Sequence, residues 1–249
     1  MGTDSGAGVA DASFFAAIEE ETHFYLLRHG QSEGNAKRMF QGRLDLPLAE
    51  RGRAQARAAG AWLADKRIAA IYTSPLVRAA ETARIVAQAC GTGTEPHLDE
   101  TFVEIDTGIF SGLGYDEARK QHPGIFAAFQ GRSWEVVPGA EKTAVLYARA
   151  MRAWRLLREQ ALSGKKALAC VSHGGFIQWL VRATFGCREW MPLFSTANCG
   201  VFELVVVPTR SGVAYLKWQN INFRPRPDTA PAMTESPQPH HSGPSDDPL

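Results

Sequence analysis

Three short stretches hold arginine and histidine where apolar runs end. Arg28-His29-Gly30 closes the run HFYLL, Ser74-Pro75 closes AAIYT with Arg78 shortly after it, and Ser172-His173-Gly174-Gly175 closes ALACV. A guanidinium is a planar fork that matches phosphate oxygens and keeps its charge at any physiological pH, so two of them suit a dianion. A neutral imidazole can attack a phosphoryl group, a role that suits His29, and a protonated one can donate to it, a role that suits His173. Gly30 and Gly174 would allow close backbone approach, and a helix N-terminus aims amides at an anion. Each stretch alone reads as an ordinary surface turn; together they point to phosphoryl chemistry at one site.

That site exists only if the elements bring the stretches together. Residues 23–28, 69–74, 167–172, 201–207 and 213–218 have strand length and apolar or alternating character. Helical spacing runs through 48–66, 75–90, 140–162 and 175–186, with Ser74 and Pro75 expected as N-cap and first residue of the second helix. Strand alternating with helix predicts an α/β fold, a three-layer α/β/α sandwich with a mostly parallel central sheet. Ligands gather outside the carboxyl ends of such strands, where all three stretches fall. The expected organisation is a flexible arm over 1–20, one domain over 21–223 with a small lid insertion near 105–140, and a disordered Pro-rich tail over 224–249. Phe102, Phe110, Tyr115, Phe126, Phe129 and Trp134 are candidates to line the lid or to fill its core. In the tail, His240 and His241 read as solvated residues rather than a metal tract.

Composition narrows the classes. A formal net charge of +1 over 249 residues argues against nucleic acid as a partner. The longest apolar runs are too short and too interrupted to cross a bilayer. The first residues lack a basic segment followed by an apolar one, so a cytoplasmic protein is expected. Cys90, Cys170, Cys187 and Cys199 form no CxxC pair and read as free thiols, with Cys170 and Cys199 in strand-like surroundings. HExxH, HxH and GxxxxGK[ST] are absent, and the glycines at 91 and 93 read as a helix cap. No metal and no cofactor are called for. The expected partner is a small phosphorylated substrate. Oligomeric state is not readable, with a dimer left open.

LRHGQSEGN at 27–35 resembles the LRHGxxxxN signature of the histidine phosphatase superfamily, in the branch of the phosphoglycerate mutases. QGRLDLPLAERGRAQA, YTSPLVRAAETA and VSHGG follow in the family's order, and the likeness covers about residues 22–222. The resemblance implies a phosphoglycerate mutase-like fold and a phosphohistidine intermediate on His29. It implies that Arg28, Arg78 and His173 hold the phosphoryl group, that Asn35 adds a neutral donor, and that Gln41, Gly42 and Gly174 belong to the phosphate or substrate site. It also places a carboxylic acid at Glu104, within FVEIDTGIFSGL, to protonate the leaving oxygen. Chemistry asks for such an acid, since an alkoxide leaves poorly, and Asp106 is the competing candidate. Only a short, mostly apolar segment separates Glu104 from the helix near residue 140, which favours a metal-independent acid-type phosphatase. The alternatives are a mutase-type phosphotransferase and a non-catalytic phospho-ligand-binding protein. Many phosphatases of the branch read PGGES before the long helix; this chain reads PGAEK, with Ala140 and Lys142 at the changed positions and Glu141 retained.

Overall fold

The computed structural model describes residues 8–189, 194–210 and 212–226. Its centre is a six-stranded sheet made of β1 (Thr22–Arg28), β2 (Ala70–Thr73), β3 (His97–Leu98), β4 (Ala167–Ser172), β5 (Val201–Pro208) and β6 (Ala214–Phe223). The order across the sheet is β3-β2-β4-β1-β5-β6. The first four in that order run parallel, whereas β5 is antiparallel to β1 and β6 to β5.

The helices are α1 (Glu33–Ala36), α2 (Glu50–Leu63), α3 (Val77–Cys90), α4 (Tyr115–Gln121), α5 (Pro123–Arg132), α6 (Thr143–Leu162) and α7 (Gly174–Thr184). Alternation along the strands divides the core into two layers, because successive side chains leave a strand on opposite faces. Phe24 and Leu26 of β1 join Leu168 and Cys170 of β4 on the side of Trp154 and Trp179 from α6 and α7. Tyr25 and Leu27 join Ala169 and Val171 on the side of Ala59 and Val86 from α2 and α3. The second layer is thin because its residues are small. A Cβ on Gly60 would lie 2.5 Å from the Ala89 Cβ, so α2 and α3 need a glycine where they meet.

The parallel pairing of β1 with β4 sets Arg28 opposite Ser172. The residues that follow them, His29 and His173, therefore leave the sheet side by side. Their ring centroids lie 5.1 Å apart.

Three expectations are corrected. Residues 8–20 are not a loose arm: Ala10, Phe15 and Ile18 are buried, and Phe15 meets Trp154 edge to face at 5.6 Å. One short apolar patch suffices to pin a polar segment when a large ring fills a core site. Ser74 and Pro75 do not start α3. Leu76 is its N-cap, and the Ser74 Oγ instead accepts from the Leu76 amide at 3.2 Å. Cys199 is not in a strand but in a tight turn with φ +52°, where its amide donates to the Arg28 carbonyl at 3.0 Å.

The segment expected as a lid folds as α4, α5 and flanking turns, and it shares the main core through Phe110, Phe126 and Val137. Gly91 does cap α3 in the left-handed region, at φ +71°. The four cysteines are free thiols. His240, His241 and all of the tail beyond Arg226 lie outside the described residues.

Candidate active site

His29 follows β1 and is 2% exposed. Its Nδ1 lies 2.7 Å from the Gly30 carbonyl, which can only accept, so Nδ1 carries the proton and Nε2 keeps its lone pair. Arg78, from the first turn of α3, donates its Nε–H to that lone pair at 3.3 Å. The rest of the guanidinium is pinned by carbonyls: Nη1 donates to Leu44 at 2.6 Å and Nη2 to Gly42 at 2.8 Å. Gly42 sits at φ +50°, with its carbonyl turned toward Arg78. The turn at Gly30 is held from two sides. Its amide donates to the Thr82 Oγ1 at 3.0 Å, and a Cβ there would meet the Gly52 carbonyl oxygen at 2.4 Å.

Arg28, at the end of β1, donates Nη1 to the Thr196 carbonyl at 2.6 Å. Its Nε and both ring nitrogens of His173 are buried without a hydrogen-bond partner among the described residues. Buried polar atoms are normally satisfied, so three orphans beside one histidine call for an explanation. Gly174 makes room for this arrangement, since a Cβ there would lie 3.3 Å from Arg28 Nε and 2.7 Å from Thr196 Oγ1.

Burial, together with Arg28 and Arg78, holds His29 well below the ordinary imidazole value. Burial first, then Arg78, His29 and Arg28, does the same to His173. Both rings are therefore neutral at pH 7 in this structure. That corrects the expectation of a protonated His173, because two guanidiniums and a buried site disfavour a further positive charge. Burial also works against the charge of Arg28 and Arg78, and the Glu104 carboxylate works for it.

Glu104 reaches the site from the loop after β3. Its Oε1 accepts from the amides of Ile105 at 2.9 Å and Phe176 at 3.0 Å, and its Oε2 from Gly175 at 3.1 Å. The free amides at the start of α7 thus serve this carboxylate rather than pointing at an external anion. Asp106 does other work: its Oδ1 accepts from the Gly108 amide at 2.9 Å and closes a turn.

The walls of a cavity of about 160 Å³ include Arg28, His29, Asn35, Gln41, Gly42, Arg78 and Glu104. His173 and Gly174 are not among the residues that line this cavity; the His173 ring lies beside that of His29, 5.1 Å between centroids. Asn35 Oδ1 accepts from Ser32 N at 3.2 Å and from Asn198 Nδ2 at 3.0 Å, which leaves its amide nitrogen as the group it can offer to an anion. Gln41 Oε1 accepts from Ser32 Oγ at 2.8 Å.

Several positioning residues carried no signal in the sequence. Asn198 also donates to the His29 carbonyl, at 3.2 Å. Arg149, 4% exposed, grips Glu141 with Nε at 2.9 Å and Nη2 at 2.7 Å, and its Nη1 donates to the Val103 carbonyl at 2.5 Å, next to Glu104. The retained Glu141 of PGAEK is thus a strut under the Glu104 loop. Lys142 turns away and donates to the Glu135 carbonyl at 2.8 Å. Of the six aromatics singled out as lid or core, Phe102, Phe110, Phe126 and Trp134 are core, and Trp134 also walls the cavity.

With this geometry in place, likeness to known proteins becomes decisive. The family model described as histidine phosphatase superfamily (branch 1) matches residues 24–221. The chain belongs to branch 1 of the histidine phosphatase superfamily. It is 35% identical over 183 residues to the phosphoglycerate mutase-like protein 4 of Arabidopsis thaliana, covering 72% of this chain and 78% of that one. A solved mycobacterial glucosyl-3-phosphoglycerate phosphatase complexed with VO3 superposes with a TM-score of 0.70 at 26% identity, covering 81% of this chain and 99% of that one. Bacillus stearothermophilus YhfR superposes with a TM-score of 0.67 at 30% identity, covering 80% and 96%. Histidine phosphatase relatives thus include both phosphatases and phosphoglycerate mutases, and the phosphoglycerate mutase-like α/β fold is the one described above. Among the described residues, no helix is long and apolar enough to cross a membrane.

Proposed function

We propose that the protein is a metal-independent phosphatase that hydrolyses phosphate monoesters through a phosphohistidine on His29. The observation that carries this reading is the lone pair of a neutral, buried His29 Nε2 beside Arg78, next to the unsatisfied atoms of Arg28 and His173. A tetrahedral dianion would accept from Arg28 Nε and from the His173 nitrogen that carries the proton. The vanadate species in the mycobacterial relative is consistent with such a pocket.

Arg78 Nε–H passes from Nε2 to a phosphoryl oxygen, and the freed lone pair of His29 Nε2 attacks phosphorus in line as the ester P–O bond breaks. Nδ1–H stays on the Gly30 carbonyl and supports the positive charge that develops on the ring. Arg28, Arg78 and His173 hold the non-bridging oxygens, and Asn35 adds a donor. Glu104 gives its proton to the leaving oxygen. Its Oε2 accepts one amide where Oε1 accepts two, so Oε2 is the oxygen to carry that proton. In the second half Glu104 takes a proton from water, the water oxygen bonds to phosphorus, the P–N pair returns to Nε2, and orthophosphate leaves.

The likeness to phosphoglycerate mutases favours a second reading, phosphotransfer between two organic hydroxyls. Hydrolysis is supported by the short segment between Glu104 and α6. Four free thiols fit a reducing cytoplasm.

The test is turnover of p-nitrophenyl phosphate at mildly acidic pH, with and without EDTA, alongside rapid-quench labelling with a ³²P-ester. Wild type is expected to turn over in EDTA and to give an acid-labile phosphoprotein, and His29→Ala to give neither while keeping its circular dichroism. A labelled His29→Ala protein refutes the nucleophile. Isomerisation of 3-phosphoglycerate outpacing its hydrolysis supports the mutase, and tight phosphate binding without turnover supports a binding protein.

A further inference from the structure

Resting on the phosphatase reading, we infer that the substrate is a monoester of a compact, uncharged alcohol with an apolar, preferably aromatic, group. A ligand with a second anion on its leaving group is disfavoured.

The cations on the cavity wall are Arg28 and Arg78, and both stand at the phosphoryl end. Each is further committed to backbone carbonyls, so neither can swing out toward a distal carboxylate or phosphate. The leaving-group end holds Glu104, a proton donor to the leaving oxygen that offers a second anion no positive charge. Arg43 is not part of this wall; it is half-exposed and shares Glu141 with Arg149. Across Met39 lies a wider cleft of about 700 Å³, walled by Lys37 and Arg38 but equally by Asp116 and Glu117. Carboxylates face the cations across this cleft, with Asp116 itself paired to Arg119 at 3.0 Å.

The apolar part of the wall is Met39, Phe40, Ile105 and Trp134, beside the neutral polar Asn35, Gln41 and Thr107. Phe40 is held by a cage of rings, stacked on Phe110 at 5.5 Å and on Tyr115 at 5.7 Å, and edge-on to Trp134 at 5.7 Å. With its faces stacked, a ring so fixed offers a pre-organised edge to another ring, at little entropic cost on binding. The cavity's size bounds the partner. About 150 Å³ accommodates one benzene ring, so 160 Å³ shared with a phosphoryl group leaves room for only part of a ring. The remainder of the group must pass over Met39 into the cleft.

The test separates recognition from leaving-group chemistry. Benzyl phosphate, glycerol 3-phosphate and 3-phosphoglycerate all release alkoxides, so their kcat/KM values differ mainly through recognition. Benzyl phosphate is expected to exceed both others by about tenfold or more, chiefly in KM. Calorimetry on the full chain supplies a readout independent of turnover, with benzylphosphonate expected to bind about tenfold more tightly than 2-carboxyethylphosphonate. Met39→Lys places a cation on the half-buried lip and should shift both ratios toward the carboxylated ligands by about tenfold. Equal or tighter binding of 2-carboxyethylphosphonate by wild type, or ratios unmoved in Met39→Lys, overturns the inference. If no ester turns over, the phosphatase reading falls while the calorimetric order still decides this one.

Discussion

Lowering the pH in the absence of a bound anion should destabilise the fold through His29 and His173, and by a calculable amount. Both imidazoles are buried, and burial with the neighbouring guanidiniums holds them well below the ordinary histidine value. In the unfolded chain each titrates near 6.5. The native state therefore binds fewer protons than the unfolded state once the pH drops below about 6.5, and stability falls with falling pH. Between pH 7.5 and 5.5 each unfolded-state imidazole gains about RT ln(1 + 10), or about 1.4 kcal/mol, provided its native partner stays neutral. The two together cost about 2.8 kcal/mol, a large part of the roughly 5–15 kcal/mol that holds a domain together.

Urea unfolding at the two pH values measures this directly. His29→Asn and His173→Asn should each remove about half of the pH-dependent loss, because asparagine does not titrate. Inorganic phosphate should offset the loss by binding only the native site. A wild type and two variants with the same pH dependence would refute the assignment of neutral buried rings.

Two further outcomes test the supporting framework. Glu104→Gln should cut turnover of alkyl phosphates by about 10²- to 10⁴-fold and of aryl phosphates far less, since aryl oxygens leave without a proton; equal damage to both in steady-state assays argues against the acid role. Glu141→Gln leaves the Arg149 guanidinium buried without a counter-charge and should cost about 3–5 kcal/mol by urea unfolding, whereas Arg43→Ala, which removes only an exposed partner of Glu141, should cost at most about 1 kcal/mol.

Much of this was legible in the sequence because it is written in local pattern. The strands at 23–28, 69–74, 167–172 and 201–207 are found within a residue or so, since strand-length apolar runs are long enough to show their period. β3 is two residues long, His97–Leu98, and has no period to show. The α3 start was misread because Ser-Pro is a good local signal that the tertiary arrangement overrides. Arg78 must face His29, and the chain spends Ser74 to Leu76 on the turn that points it there. The apolar patch at 13–18 is too short to show a period, so it reads as part of a loose arm, yet the site of Phe15 against Trp154 is decided by shape.

The candidate site divides the same way. Arg28, His29, Arg78 and His173 could be read from strand ends, and Glu104 only from the resemblance. Asn198, Thr82 and Arg149 act through backbone carbonyls and amides contributed by distant segments. Such contacts depend on where the chain goes rather than on residue type. The neutrality of His173 likewise depends on how deeply the fold buries it, which no motif records.

The pairing of Arg28 with Ser172 has a kinetic side. The strands that deliver the two imidazoles come from opposite ends of the domain, and β4 lies between β1 and β2 in the sheet. The two imidazoles meet only when β1 has paired with β4, a contact between residues far apart in the chain, and such non-local pairing slows folding. Recovery of phosphate affinity after dilution from denaturant would thus serve as a clock for the pairing of β1 with β4.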